Sequence, residues 1–423
     1  MSIITSKYTM TPIKSNQGDD QTANNIPLIS ENSKITDTRK LKDFKDQTFG
    51  GYNITQASAA LEKAIAEDKI EPALHWSLQL FLSGIVHQLW SKLMSLASKN
   101  INIYNPKLPE FLYNKQQQWS SITENPKFAK DNILLLRNHP TARILLAEMV
   151  AVLVLAKKRK INTLPKIKKE EFIIDSFKSK LEAKDNRLVD SIASDGDPSE
   201  IRIAINEMAH HIFHKNHTKA LYWLSWIVEW EKINSKKYGK YECAARTVEG
   251  VDTKFCRDVV WLVWATINRL KTLVFPIGHS EWLNQITSLF KLYREKFTAA
   301  SRTKRQNLII WAILYMTETV DYAIPLVDRP QILFQSLLGF DKVVASLKSQ
   351  QVNSMVNMDL LNVVVEDNYI KPERLKEMEE SAKRKQIEKM MEERNKIAKQ
   401  KKINVESLDK LEQVSKMDKY LFS

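Results

Sequence analysis

From Ala57 to Pro106 the apolar residues recur every three or four positions: Leu61 and Ile65, then Leu74, Leu78 and Phe81, then Ile85, Leu89, Leu93 and Leu96. That period gives each of three helices one face for a shared core. Pro72 suits the first turn of the second helix, where its missing N–H costs little, and Ser83-Gly84 marks a break before the third. Only nine glycines occur in 423 residues, against about 7% in ordinary proteins. Strand-joining tight turns consume glycine, so the shortage favours helices linked by polar turns. Strand-like runs are scarce, and the best, Asn362–Val365, is brief. The fold class read from this is all-α, a multi-helix array.

Residues 1–50 are polar, mixed in charge and poor in aromatics, as expected of a flexible arm. Residues 51–160 form a first helical unit. Its most apolar stretch, Ile144–Ala156, is far short of the ~20 residues that span a bilayer and reads as a core helix. Residues 161–197 are a basic linker and helix. Residues 198–350 form a second unit that ends in apolar helices around Leu308–Thr319 and Pro330–Leu347. Residues 351–423 hold a charged helix over 371–402, whose apolar stripe is too thin for a coiled coil, and a C-terminal tail. The two units share a signature. Ala220-Leu221-Tyr222-Trp223 repeats Ala73-Leu74-His75-Trp76 at an offset of 147, and the same offset sets Met208 on Leu61, Ile212 on Ile65 and Lys219 on Pro72. A diverged duplication is expected.

Lys63-Ala64-Ile65, Ala73-Leu74-His75-Trp76, Ser83-Gly84, Leu89-Trp90 with Leu93, and Ala97-Ser98 with Ile101 and Pro106 also follow one another as in a known pattern. They resemble the C-terminal helical collar of the RarA/MgsA, or Werner-helicase-interacting, family of clamp-loader-like AAA+ ATPases. The similarity extends weakly to His139–Lys160. The resemblance implies a collar scaffold and a replication or repair setting. It departs at the family's acidic pair and glycine, where this chain has Lys99, Asn100 and Asn102. It does not imply ATP hydrolysis. Only the polar arm precedes the region, and no G-x-x-x-x-G-K-[ST] loop, whose backbone N–H groups would wrap phosphates, occurs in the chain.

The net charge of +14 favours a polyanionic partner, nucleic acid or an acidic protein surface. Two segments concentrate it. Residues 157–169, KKRKINTLPKIKK, carry seven basic residues and no acid, among them Lys157, Lys158, Arg159 and Lys160. They could grip phosphates or simply complement a helix C-terminus. Residues 234–257 form the longest glycine-containing loop. They interleave Lys236, Lys237, Lys240, Arg246, Lys254 and Arg257 with Tyr238, Tyr241 and Phe255. Cations beside aromatics suit single-stranded nucleic acid, and this loop is the first choice for a nucleic-acid contact. At the C-terminus, Met417, Tyr420, Leu421 and Phe422 approximate a sliding-clamp-binding peptide, with Gln413 one residue out of register.

No nucleophile elbow or paired carboxylate cluster is visible, and no enzyme activity, cofactor or metal is expected. His210 and His214 stand one helical turn apart, a metal-ligand spacing, with His217 and Cys243 or Cys256 as further donors. With no H-E-x-x-H and no C-x-x-C, the reading is a solvated helix end. Trp223, Trp226, Trp230, Trp261 and Trp264 lie at helical spacing among Leu221, Leu224, Ile227, Val260 and Leu262 and read as core. Asp197 before Pro198 reads as a helix N-cap. Two cysteines and no apolar leader suggest a reducing intracellular compartment, nucleus or cytoplasm, with no membrane segment. The functional expectation is a non-catalytic DNA replication or repair accessory factor that binds protein partners, a sliding clamp or a second copy among them. The alternative is a structural or assembly protein, such as a virion component.

Overall fold

The Asn53 side chain accepts the N–H groups of Thr55 and Gln56 at 2.9 and 3.2 Å and so starts helix α1, Ile54–Ala66. A left-handed residue, Asp68, ends the turn, and α2 follows over Ile70–Leu82 with Pro72 in its first turn. The break before α3, Val86–Asn100, needs a glycine twice over. Gly84 has φ +78°, and a Cβ there would lie 2.8 Å from both Leu41 and Leu134. Next come α4, Leu108–Thr123, and α5, Pro140–Leu155. The chain then passes through the basic tract to a short α6, Ile174–Lys178, and to α7, Ser199–Phe213, and α8, His217–Tyr238. The remaining helices are α9, Val259–Val274; α10, Ser280–Arg294; α11, Ala299–Lys304; α12, Gln306–Thr317; and α13, Pro330–Val352. The computed structural model describes residues 29–238, 243–275 and 280–352, with all their side chains except those of 130, 131, 236–238 and 350–352. Among them there is no strand, only an isolated bridge between Gln47 and Asn53. The fold is all-α, as the spacing predicts.

Three helices carry the core. From Ala73 to Leu82 in α2, through most of α5, and from Leu308 to Thr317 in α12, essentially every side chain is buried, so these helices are apolar all round and surrounded by others. Trp223, Trp226, Trp230, Trp261 and Trp264 are buried as expected. The segments 51–160 and 198–350 interlock: α3 packs on α12, α4 on α10 and α5 on α13. The Tyr315 hydroxyl donates to the Pro106 carbonyl at 2.5 Å, and Gln285 Nε2 to Glu110 Oε2 at 2.9 Å.

Residues 29–50, read from sequence as part of a polar arm, lie against this body. Phe44 and Phe49 are buried, and Arg143 gathers the segment in. Its guanidinium donates to the Ser33 carbonyl at 2.9 Å, to Asn138 Oδ1 at 3.1 Å and to Asp341 of α13 at 3.1 Å.

The offset of 147 carries Ala66, which ends α1, onto Phe213, which ends α7, and Ile70, which opens α2, onto His217, which opens α8. Buried Ala57, Ala73 and Trp76 fall on buried Ala204, Ala220 and Trp223. The two hairpins therefore share the helix ends at the turn and buried positions around it, not only a four-residue motif.

Among the described residues no single helix is long and apolar enough to cross a membrane. The charged segment 371–402, the run Asn362–Val365 and the terminal Met417, Tyr420, Leu421 and Phe422 lie outside the described residues.

Candidate nucleic-acid interface

The basic tract is irregular over 157–168, and Lys169 opens a short 3-10 helix, Lys169–Phe172, yet the tract is fixed to the body through its backbone. The N–H groups of Arg159 and Ile161 donate to the carbonyls of Asn100 and Lys99 at the end of α3, both at 2.7 Å. Asn102 Nδ2 donates to the Arg159 carbonyl at 2.6 Å. Further on, Ser225 Oγ of α8 donates to the Pro165 carbonyl at 2.6 Å.

The cations of the tract divide into two sets. Lys158 turns back on α5: its ammonium donates to the carbonyls of Val154 and Ala156 at 2.8 and 2.7 Å and to Asp68 at 2.7 Å, which caps the helix with positive charge. Arg159 makes a two-pronged contact with Glu318 at 2.6 and 2.9 Å and lies over the Tyr104 ring. The hydrogen bonds to Glu318 raise its pKa further above the usual range. These two are structural. Lys157, Lys160, Lys166, Lys168 and Lys169 are exposed and have no carboxylate partner among the described residues, and Lys99, brought alongside by the Ile161 bond, is in the same state. Sequence reasoning saw Lys99 only as a departure from an acidic family position. The cleft between α3 and α11–α12, about 770 Å³, opens beside it and is lined by Lys99, Lys304, Ser91, Ser95 and Ser301.

The loop 234–257 is used differently from the expectation. Lys240 and Tyr241 lie outside the described residues, as do the side chains of Lys236, Lys237 and Tyr238, although the backbone of the last three completes α8. Arg246 faces inward. It forks onto Asp197 at 2.8 and 2.6 Å and donates to the carbonyls of Ala244 and Ile192, both at 3.0 Å. Asp197 is accordingly not the N-cap of α7. Pro198 holds that place, and the carboxylate takes the N–H groups of Ser194 and Ala244 at 2.9 and 3.0 Å. Burial pushes the Asp197 carboxyl up, but Arg246 and these N–H groups together hold it below the usual range. Lys254 pairs with Asp252 at 2.8 Å, and Arg257 is exposed. Phe255 packs edge-on against Phe297 and anchors the loop.

At the foot of this loop lies a second cleft, about 730 Å³, lined by Glu231, Asp258, Tyr293 and Arg302 among apolar neighbours. Arg302 bridges the two carboxylates, contacting Glu231 closely and Asp258 at 3.4 Å. Burial raises the Glu231 carboxyl despite that contact. The Tyr293 hydroxyl is buried without a hydrogen-bond partner.

Comparison with protein-family models, curated proteins and solved structures finds no match to this chain.

The histidines separate as well. His214 is exposed and its Nδ1 lies 2.8 Å from the His210 carbonyl, in keeping with a helix end facing solvent. His211 is buried, which the sequence reading did not foresee. Burial pushes the Cys243 thiol up to about 12, which suits an inert core residue.

Proposed function

We propose that this protein is a non-catalytic accessory factor of DNA replication or repair that holds the phosphate backbone of nucleic acid. The contact surface is Lys99 with Lys157, Lys160, Lys166 and Lys169. The observation that carries this reading is their common state: exposed ammonium groups without carboxylate partners among the described residues, on α3 itself or on a tract whose backbone is hydrogen-bonded to the end of α3 and to the Ser225 hydroxyl of α8. Rigid presentation lowers the entropy lost on binding, and unpaired cations gain most from displacing condensed counterions. The collar resemblance supports the replication setting. Its glycine position is Asn102, which has φ +41°, a left-handed conformation that glycine and asparagine adopt most readily. The terminal Met417, Tyr420 and Leu421 make a sliding clamp the protein partner of this reading.

The test is fluorescence anisotropy with single-stranded, duplex and forked DNA. Replacing Lys157, Lys160 and Lys166 together by Ala is expected to weaken binding by roughly 100-fold at low salt, on the usual scale of phosphate contacts. An unchanged affinity would move the interface elsewhere. Absence of binding by the parent protein at low salt would leave a protein-binding scaffold.

A further inference from the structure

Helix α7 buries chemistry that its twin α1 does without. Glu207, His210 and His211 stand where α1 has Ala60, Lys63 and Ala64. Ala60 and Ala64 are 1% and 4% exposed, so methyl groups satisfy the hairpin packing at those places. In α7 the same two places bury a carboxylate and an imidazole, each 2% exposed. Such groups are costly to bury without partners. Glu207 has partners: its oxygens accept the N–H groups of Glu182 at 3.0 Å and of Ala183 at 2.9 Å. His211 does not. Its Nε2 has no hydrogen-bond partner, and the nearest carboxylate oxygen, on Glu207, is 3.7 Å away.

The same Glu207 bonds, with Asn206 Nδ2 donating to the Asp185 carbonyl at 2.9 Å, hold the segment 182–185 against α7. This delivers the Glu182 carboxylate to the two imidazoles. One ligand atom from each of Glu182, His210 and His211 lies within 4.8 Å of the others.

We propose that Glu182, His210 and His211 form a binding site for a divalent transition-metal ion of the zinc class. Two imidazoles and a carboxylate suit that class, and three protein ligands leave a position for water. Ligand atoms on a tetrahedral ion stand about 3.4 Å apart, so the cluster must contract. Exposed Glu182, once released by Lys219, and half-buried His210 would close on the buried His211. The two histidines stand in the C-terminal turn of α7, where the helix dipole favours positive charge. The competitor is Lys219, whose ammonium now contacts the Glu182 carboxylate. His214 stacks on His210 with ring centres 4.2 Å apart and its Nδ1 at the His210 carbonyl, so it is a neighbour and not a ligand.

The full-length protein is titrated with Co²⁺, read by visible ligand-field absorption, and the ion is then displaced with Zn²⁺. One equivalent is expected to bind. Glu182→Gln and His210→Ala, with folding of each checked by circular dichroism, should each weaken binding by roughly tenfold or more, on the usual scale of a lost ligand. Lys219→Ala should tighten it, and His214→Ala should leave it unchanged. No stoichiometric binding would overturn the proposal. So would binding that survives Glu182→Gln but is lost in His214→Ala, because the ion would then sit on the His210–His214 pair.

Discussion

Asp68 and Lys215, 147 residues apart, hold the same left-handed backbone, with φ of 58° and 57°. Each closes the first helix of a hairpin in the same way. The N–H of the following residue reaches back to the fifth residue before it, Lys69 to Ala64 at 2.9 Å and Asn216 to His211 at 2.8 Å. A shared turn of this kind cannot be read from a four-residue motif. It makes the repeat a property of the backbone and carries the alanine-to-histidine comparison on which the metal site rests.

A side chain at positive φ crowds its own carbonyl, at a cost of roughly 1–2 kcal/mol. Lys215→Gly is therefore expected to raise unfolding stability by about 1 kcal/mol, and Lys215→Val to lower it, as measured by urea titration. Asp68→Gly should gain less, because it also removes the contact with Lys158.

Arg246 holds a structural place, so its loss should appear in stability. Its partner Asp197 is wholly buried in side chain, and Arg246→Ala leaves that carboxylate uncompensated. The expected cost is about 3–5 kcal/mol. Under conditions where the variant is folded, its affinity for DNA should match that of the parent, which equilibrium unfolding and anisotropy on the same sample would check.

The helices were legible because burial imposes a 3.6-residue period on Leu61, Ile65, Leu74 and their neighbours, and because tryptophan stripes such as Trp223–Trp226–Trp230 have few other uses. What escaped depends on partners distant in sequence. Asp197 looked like an N-cap because its neighbours suit one, but Arg246, forty-nine positions on, claims it. Arg159 looked available for phosphate until Glu318 was placed beside it. Phe44 and Phe49 are too sparse to show a period, so a packed segment read as an arm. Of the basic tract, sequence located the segment but not which of its lysines are free.

His75 links stability to pH. Burial lowers its pKa from 6.5 to about 4. As pH falls below about 6.5 the unfolded chain takes up a proton that the folded chain refuses, so this contribution to stability is intact above that pH and lost toward pH 4. His75→Phe removes the titration and the unpartnered buried Nε2. The variant's stability relative to the parent should rise between pH 7 and pH 5, by on the order of 1–2 kcal/mol, in denaturant titrations at the two values.

The two thiols should differ in reactivity. Cys243 is buried with its pKa pushed up to about 12, and Cys256 is partly exposed. In a Cys256→Ser variant, alkylation by iodoacetamide at pH 8 should proceed only at the rate of unfolding, followed by mass spectrometry with and without urea.

The most direct test of the interface is the slope of log K against log[salt] for single-stranded DNA, in the parent and in the Lys157, Lys160 and Lys166 triple-alanine variant. Each phosphate contact contributes about 0.7 to that slope. The account predicts a steep negative slope in the parent that becomes shallower by about 2 in the variant. Equal slopes in the two proteins would contradict it.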